Sequence, residues 1–536
     1  MSQAQSLRFH HPLAVWSGCL LIVAGVFAHA PMFLMGASTG YRLVGMPMDA
    51  TMLVGMALIP IGLALSAFGL MPRLEQMRAA RQASARPHFH VADGVPLNRE
   101  HWKLVIVLVV ALAVDVLKPA SLGFVMPGMT REYGISSETA GLLALVALTG
   151  TTVGSVLWGR MADSFGRRAA ILLSALMFIG TAICGAMPSF GWNIAMCFLM
   201  GLSAGGLLPI AFTLMAEMVP AAHRGWLLVA LGGIGTSAGY LLAAGAATLL
   251  EPTYSWRALW LLGLPTGLVI VFLDRFIPES PRFLSSAGLD GEARAVLARY
   301  AGPGHASDLE LAPAEAMATP KEGMRALMRG AHAPITLGLL VCGTSWGLAN
   351  FGFLLWLPTN LRAMGLDSET ASALLARSAL LALPGIAVVV WLYHRWSSIR
   401  ALVAFIALTC AALLAFFAMG LLGVHSEGAM IAATVALLVS ASGVIAMLIP
   451  YAAEIYPVHL RGTGSGAVAA SSKFGGILGA LGGVFGLFGN MTWSALLIAV
   501  PMAASAVMLL RAGIDTRGRR LEDIQAAMAA RPAVLP

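Results

Sequence analysis

The stretch EMVPAAHRG (217–225) recurs as EIYPVHLRG (454–462), with Glu, Pro, Arg and Gly at the same four positions. Each copy directly follows a long apolar run, and the second run is the sixth after the first. A duplicated block of six helices would separate the copies in this way, and parallel repeats of this kind occur in transporters. The repeat therefore predicts two six-helix bundles in tandem.

Apolar runs long enough to cross a bilayer occur at fourteen places. A hydrocarbon core of about 30 Å needs about 20 apolar residues in one helix. The predicted spans, labelled α1 to α14 in chain order, cover residues 13–35, 50–71, 102–128, 138–159, 169–187, 192–216, 226–249, 257–274, 334–361, 370–393, 399–422, 428–453, 464–488 and 491–511. The predicted fold class is thus an all-α membrane protein, with two six-helix bundles (α3–α8 and α9–α14) and an extra N-terminal pair (α1 and α2).

The composition agrees with a membrane protein of many spans. Hydrophobic residues make up 58% of the 536 residues and charged residues 11%, whereas soluble proteins have about 25% charged residues. The mean hydropathy is +0.82. These values exclude a disordered chain, a nucleic-acid-binding module and an ordinary soluble enzyme. The five cysteines all lie in apolar runs without CxxC spacing, so neither a disulfide framework nor a metal site is expected.

The predicted domain boundaries follow from the spans and the polar segments between them. The extra hairpin is 1–72, and a basic cytoplasmic linker, 73–101, faces membrane lipid. The first bundle is 102–275 and the second is 334–512. A cytoplasmic inter-bundle segment, 276–333, contains a short amphipathic helix at GLDGEARAVLARY (288–300), and the tail is 513–536.

The positions of Lys and Arg predict the orientation, because cytoplasmic loops are enriched in both residues. With a cytoplasmic N-terminus, 26 of the 33 Lys and Arg residues lie in cytoplasmic segments, 4 in outer loops and 3 within spans. This distribution predicts a multi-pass protein of the inner (plasma) membrane with both termini in the cytoplasm. It also explains the net charge of +8 without a polyanionic partner.

Several loops carry motifs of a known family. They are GRMADSFGRR (159–168), PESPRFL (278–284), YAAEIYPVHLRGTGSG (451–466) and DTRGRRLEDI (515–524). Together they resemble the major facilitator superfamily over about residues 102–525, and in particular its sugar-porter branch and the related organic-ion and aromatic-acid:proton symporters. Because no Gln lies in α3–α14, whereas sugar porters carry Gln in these helices, the aromatic-acid branch is the closer resemblance.

That branch often has Asp-Gly-x-Asp in the first bundle helix, where this chain has Asp115 and then Lys118. It usually carries an Arg linked to proton coupling where Cys197 stands, so the coupling ion stays open. It often has an Arg before Gly-Gly in the eleventh bundle helix, where Lys473 precedes Gly475-Gly476. The resemblance thus implies a role for Lys473 but departs from the family at two positions.

Four charged residues lie near mid-depth of the predicted spans, at Asp115, Lys118, Arg377 and Lys473. A charge at the bilayer centre costs about 3 kcal/mol or more, which makes such a residue a functional candidate. We expect the three cations to converge on one chamber and bind an anionic substrate, with Arg377 holding a carboxylate. Asp115 is the candidate proton-coupling residue. The alternative is a structural Asp115–Lys118 pair, with Arg377 directed at a backbone carbonyl.

Aromatic and amide side chains are expected to complete the substrate pocket, by stacking on or hydrogen bonding to a ring. The candidates are Trp346, Asn350, Phe353 and Tyr240. The alternative for these residues is ordinary packing or an interfacial aromatic belt.

Charged residues at the predicted cytoplasmic helix ends form a candidate conformational lock. Ion pairs there would break as the bundles rock and so bias two states. The candidates are Asp163, Arg167, Arg168, Glu217, Arg224, Arg282, Glu454 and Arg461. The alternative is loop charge that only sets orientation.

The predicted function is secondary active transport of a small organic anion by alternating access, with proton-coupled symport. An exporter of organic cations or drugs that uses Asp115, or a facilitated uniporter, is the alternative. A membrane receptor that binds without transport is the candidate from a different class. No nucleophile–base pair, metal-ligand spacing or phosphate-binding loop indicates an enzyme. No cofactor, metal or nucleic-acid partner is expected.

Overall fold

The computed structural model describes residues 11–70, 88–89, 96–286, 289–301, 311–312, 325–329, 332–363, 367–423, 426–456 and 458–516. Within these residues, fourteen helices are long and apolar enough to cross a membrane. The predicted fold class is confirmed, since the number and order of the spans agree with the sequence analysis.

The membrane helices begin and end close to the predicted positions. Their bounds are α1 Pro12–Phe27, α2 Ala50–Leu70, α3 Arg99–Tyr133, α4 Ser137–Phe165, α5 Arg167–Gly180, α6 Phe190–Met218, α7 Ala221–Tyr254, α8 Gly263–Leu273, α9 Ala333–Leu348, α10 Ser368–Arg395, α11 Ser398–Leu422, α12 Glu427–Ile455, α13 Val458–Val484 and α14 Met491–Ala512.

Shorter pieces extend or connect these helices. Ala30–Met35 and the 3₁₀ turn Gly36–Thr39 follow α1, the 3₁₀ turn Thr181–Ala186 follows α5, and Arg257–Leu261 and the 3₁₀ turn Asp274–Phe276 flank α8. A π-helical turn, Ala349–Leu354, and the helix Leu357–Ala363 continue α9. Pro281–Ser286 and Asp290–Ala301 are helices of the inter-bundle segment, and His88–Phe89 pairs with Leu311–Ala312 as two antiparallel strands of two residues each.

The two bundles repeat one pattern of helix pairing. In the first bundle α3 packs on α7, α4 on α6 and α5 on α8. In the second bundle the corresponding helices pair in the same way, with α9 on α13, α10 on α12 and α11 on α14. Between the bundles, α7 packs on α10 and α12, and α4 packs on α13. The duplication read from EMVPAAHRG therefore extends to the tertiary arrangement.

The extra pair packs against the first bundle. Its two helices cross at small residues, where a Cβ on Gly25 would lie 2.7 Å from the carbonyl oxygen of Gly55. Such residues let helix backbones approach closely in a membrane. The side chain of Ile59 then fills the space beside Gly180 of α5. The pair thus packs against the outside of the first bundle.

A buried ion pair ties the loop of the extra pair to the first bundle. The Glu132 carboxylate accepts hydrogen bonds from the Leu43 backbone N–H at 2.9 Å and the Trp256 indole at 2.9 Å. It also pairs with Arg257 at 2.7 Å, and the Arg257 side chain is fully buried. Because every partner lies at the predicted outer end, this network fixes that end of the first bundle.

The inter-bundle segment docks on the beginning of α3. The predicted amphipathic helix is present as Asp290–Ala301. Asn98, which caps α3, donates from its side-chain amide to the Tyr300 carbonyl oxygen at 2.6 Å. The Tyr300 ring, which is buried, contacts His101 edge-on at 5.1 Å. This contact joins the segment to the first bundle.

Candidate functional site

Asp115 belongs to the first bundle and Lys473 to the second. Asp115 is 8% exposed on α3, and Lys473 is partly exposed on α13. Their charges interact across the bundle interface. Neither side chain has an ion pair or hydrogen-bond partner among the described residues. An acid and a base therefore lie near each other at the interface without neutralising each other by direct contact.

The packing of α13 explains why Lys473 points toward the first bundle. Gly475 and Gly476 lie against Thr344 and Phe351 of the α9 region, which occupies one side of α13. The opposite side carries Phe474, which is exposed. Lys473 lies between these two sides, in line with Val484 three turns later, whose backbone nitrogen contacts Gly141 of α4. Lys473 consequently faces the first bundle.

Two of the predicted pocket residues of the second bundle, Trp346 and Asn350, are partly exposed. Trp346 donates from its indole N–H to the Ala441 carbonyl oxygen of α12 at 2.8 Å, which fixes the ring. Asn350 is the second residue of the π-helical turn. Its side-chain amide has no partner in the part of the chain that the structure describes. One residue thus offers an aromatic face and the other an amide.

Phe353 does not have this exposure. It is 1% exposed, and its ring packs on Phe416 of α11 at a centroid distance of 5.0 Å. The predicted substrate contact for Phe353 is therefore corrected to packing inside the second bundle, because the π-helical turn directs its ring toward α11.

The remaining predicted pocket residue, Tyr240, belongs to the first bundle. It lies on α7, next to Gly239, where a Cβ would lie 2.6 Å from Val116 of α3. Its ring is 6.1 Å from that of Phe124. The Tyr240 hydroxyl is buried and has no hydrogen-bond partner within the described residues.

Lys118 does not reach the predicted substrate pocket. It is fully buried, and its amine donates to the Phe178 carbonyl oxygen at 3.0 Å and to Thr181 Oγ1 at 2.6 Å. The Phe178 ring lies 4.4 Å from the amine, which is a cation–π contact. The expectation that Lys118 lines a shared chamber is wrong, because its amine is bound between α3 and α5 in the first bundle. The alternative of an Asp115–Lys118 ion pair is not present either.

Arg377 lies at the surface of the predicted outer end. Its side chain is 67% exposed and pairs with Glu427, the first residue of α12, at 3.2 Å. Neither the carboxylate clamp nor the alternative contact with a backbone carbonyl describes this geometry. Arg377 is therefore corrected to an exposed ion pair, because its position on α10 turns it away from the bundle interface.

These corrections change the charge of the site. Three cations and one acid were expected in a single chamber, whereas Lys118 is bound inside the first bundle, Arg377 lies at the surface, and only Lys473 of the three interacts with Asp115. Positive charge in excess no longer distinguishes anionic from cationic substrates at this site.

The predicted lock residues of the first half form ion pairs within the first bundle. Arg167 pairs with Glu217 at 3.2 Å. Arg168 binds both carboxylate oxygens of Asp274, a partner that the sequence analysis missed. Because all four residues belong to the same bundle, these pairs hold the ends of α5, α6 and α8 together.

One lock residue of the second half does lie at the interface. Glu454 accepts hydrogen bonds from the Tyr393 hydroxyl at 2.9 Å and from Thr516 Oγ1 at 2.6 Å. Its carboxylate lies 3.0 Å from where a Cβ of Gly225, on α7 of the first bundle, would stand. Arg224 donates weakly to the Val219 carbonyl oxygen at 3.4 Å. The side chains of Asp163, Arg282 and Arg461 lie outside the described residues.

The predicted outer end has a cross-bundle ion pair that the sequence analysis missed. Arg362, after α9, donates to both carboxylate oxygens of Glu251 on α7, at 3.0 and 2.9 Å. Both side chains are nearly buried. Nearby, Trp356 is buried between Gly141 of α4 and Gly483 of α13. The two residues of the pair are 111 positions apart, and no motif or spacing in the sequence connects them.

Comparison with known proteins gives a consistent assignment. The family model described as Major Facilitator Superfamily matches residues 104–480. The niacin transporter NiaP of Acinetobacter baylyi is 27% identical, over 81% of this chain and 98% of that protein. The 4-hydroxybenzoate transporter PcaK of the same species is 26% identical, over 82% of this chain and 97% of that protein.

A solved structure supports the same fold. The proton:xylose symporter XylE bound to 6-bromo-6-deoxy-D-glucose is 17% identical and superimposes with a TM-score of 0.64, over 80% of this chain and 99% of that one. At this identity the likeness concerns the fold alone.

Proposed function

The chain belongs to the Major Facilitator Superfamily and is a membrane transporter, not an enzyme, and from this premise we propose that it moves a small aromatic carboxylic acid across the inner membrane by alternating access. Niacin and 4-hydroxybenzoate, the compounds named for two relatives, are both aromatic rings with one carboxyl group. The absence of Gln from α3–α14, noted above, argues against a sugar, whose hydroxyls need many neutral hydrogen-bonding groups.

The observation that carries this proposal is the separated pair of Asp115 and Lys473 at the bundle interface. Lys473 has no direct partner among the described side chains, so its ammonium is available to a carboxylate. Trp346 lies on the α9 side with a partly exposed ring, and aromatic rings associate favourably at centroid distances of about 4.5–7 Å. The site therefore combines one cation for the carboxylate with an aromatic face for the ring.

The same pair suggests how a proton accompanies the substrate. When Asp115 and Lys473 are both ionised, their charges balance. When a carboxylate binds to Lys473, the site gains one negative charge, and protonation of Asp115 restores neutrality. A buried site favours neutrality because unbalanced charge in a low-dielectric region is costly. One carboxylate would thus enter with one proton, which is symport.

Contacts between the bundles at both ends support alternating access. At the predicted outer end, the Glu251–Arg362 pair and Trp356 join the bundles. At the predicted cytoplasmic end, Glu454 lies against Gly225, and the Trp226 and His394 rings are 6.5 Å apart. We infer two states. In one the outer contacts separate while the cytoplasmic contacts hold, and in the other the cytoplasmic contacts separate while the outer contacts hold.

The proposed cytoplasmic position of both termini rests on the distribution of Lys and Arg. The first-bundle pairs Arg167–Glu217 and Arg168–Asp274 would then brace the cytoplasmic ends of three helices, and Glu454 would act as the lock across the interface.

Substitution of Lys473 tests the binding site. At a ligand concentration of 100 times Kd, binding stabilises the native protein by about 2.7 kcal/mol, so 4-hydroxybenzoate or niacin should raise the melting temperature of the purified chain. Lys473→Gln should abolish this rise, because no cation then faces the carboxylate. Arg377→Gln, the matched control at an exposed cation, should retain it.

Proteoliposomes test the coupling in the same preparation. Uptake of the acid by the wild-type protein should make the external medium more alkaline. Asp115→Asn, which cannot release a proton, should bind the acid but lose this change. A constant external pH during measured uptake would favour a uniporter, and ligand binding by Lys473→Gln equal to wild type would refute the proposed site.

A further inference from the structure

The hydroxyl of Tyr240 is a buried polar group without a protein partner. Its oxygen is shut off from the surface, and no hydrogen-bond partner for it exists within the described residues, although part of the ring is exposed. Buried hydroxyls are nearly always hydrogen-bonded, so such an exception needs an explanation. A ligand that supplies the missing partner is one explanation that can be tested.

The placement of Tyr240 directs it to the site described above. Gly233 lies two turns earlier on the same face of α7, and a Cβ there would contact Ile386 and Ala446 of the second bundle. Residues seven apart share a helix face, so Tyr240 also faces the second bundle. Gly239, its neighbour, packs on the turn of α3 that carries Asp115. Tyr240 is therefore at the bundle interface and close to the acid of the site.

The opposite wall of the interface carries a second neutral polar group. The Asn350 amide is partly exposed and has no side-chain partner in the described part of the second bundle. Neither group carries charge, and Lys473 already supplies a cation for the carboxylate. These neutral groups would suit a substrate with a second polar atom in addition to its carboxyl group.

We propose that Tyr240 is a specificity-determining residue, whose hydroxyl hydrogen-bonds a second polar group of the substrate, a ring hydroxyl or ring nitrogen away from the carboxylate. The inference rests on the proposed function, and it narrows the substrate class to aromatic acids that carry such a group. A phenolic hydroxyl can donate to a ring nitrogen or exchange hydrogen bonds with another hydroxyl. An acid without the group leaves the Tyr240 oxygen unpaired.

The proposal predicts that the full-length protein discriminates between 4-hydroxybenzoate and benzoate, which differ only in one hydroxyl. A hydrogen bond to a buried group contributes enough for about a tenfold difference in Kd. Tyr240→Phe removes only the oxygen, so it should weaken 4-hydroxybenzoate about tenfold, leave benzoate within about twofold and bring the ratio of the two Kd values near one. The same comparison applies to niacin and benzoate.

Tyr254→Phe is the matched control, since this tyrosine lies at the outer end of the same helix and is exposed. It should keep the wild-type ratio. Benzoate binding reports on folding, so a misfolded Tyr240→Phe protein would lose both ligands, and Tyr240→Leu or Tyr240→Met, which also lack a hydrogen-bonding group of this kind, would then be compared in its place. An unchanged Kd ratio in folded Tyr240→Phe overturns the inference and leaves the proposed function intact. Failure of the wild-type protein to bind any of the three acids overturns the proposed function itself.

Discussion

Lys118 shows how a charged residue inside a predicted span can serve structure alone. It lies three positions after Asp115 on α3, which turns its side chain about 60° around the helix. This rotation is enough to send its amine to Phe178 and Thr181 of the first bundle, where two oxygens and an aromatic ring surround it. The lysine thereby joins α3 to the end of α5.

Substitution of Lys118 should therefore spare binding. Lys118→Met preserves the length of the side chain and removes two hydrogen bonds, each of which contributes about 1 kcal/mol. We expect the Kd for the aromatic acid to stay within about twofold of wild type, with a loss of about 1–2 kcal/mol in the free energy of unfolding. Ligand titration and thermal melting of the same sample measure both quantities. Loss of binding by a folded Lys118→Met protein would contradict this structural role and show that Lys118 contributes to substrate binding.

At the scale of elements, the beginning of α5 is held by a carboxylate from the inter-bundle segment. Glu279 accepts hydrogen bonds from the backbone N–H groups of Arg167 at 2.8 Å and Arg168 at 3.3 Å. Gly166 precedes them with a φ of 107°, a conformation that a residue with a Cβ rarely adopts. The tight turn brings the helix N-terminus onto Glu279, and burial raises the pKa of this carboxyl to about 7.

This pKa predicts a pH-dependent stability. A carboxyl that binds its proton more tightly in the folded protein contributes stability below its unfolded pKa, and this contribution is lost as the pH rises through about 7. Because Glu279 keeps some exposure to solvent, we expect a change of about 1–2 kcal/mol rather than the full value of the shift. The stability of wild type relative to Glu279→Gln should therefore fall between pH 5 and pH 8.

Thermal melting of both proteins across this pH range measures the difference. Glu427→Gln, at an exposed ion pair, is the matched control and should show no comparable trend. A difference between wild type and Glu279→Gln that rises with pH would contradict the assignment.

At the scale of the whole molecule, the extra pair and the first bundle pack as one body. The loop of the pair is bound through Glu132, and Ile59 of α2 fills the space beside Gly180 of α5. Alternating access requires movement between bundles, not between the extra pair and α5. The extra pair should accordingly move with the first bundle.

Two engineered disulfides test this division, in a protein whose five native cysteines have been replaced. Ile59→Cys with Gly180→Cys places two Cβ atoms about 4.0 Å apart, between the extra pair and the first bundle. Gly233→Cys with Ala446→Cys places two Cβ atoms 3.7 Å apart across the interface between the two bundles. Both distances suit a disulfide. Oxidation of the first pair should leave uptake near the level of the reduced protein, whereas oxidation of the second should stop uptake until a reductant is added. If the first disulfide also stopped uptake, the extra pair would have to move during transport.

The number of spans, the duplication and the family were determined by the sequence alone. These features depend on local properties, because a span needs only a long apolar run and a motif needs only fixed spacing in one loop. Asp115 and Lys473 were also found in this way, since each is a charge inside an apolar run.

The tertiary structure decided which of the buried and polar groups meet. Lys118, Arg377 and Phe353 had the residue types expected of a pocket, but the rotation of each helix sends them to α5, to the exposed Glu427 and to α11. The Glu251–Arg362 and Arg168–Asp274 pairs join residues more than 100 positions apart. A one-dimensional pattern fixes the depth of a side chain in a helix, whereas the direction it faces depends on how each helix packs against its neighbours.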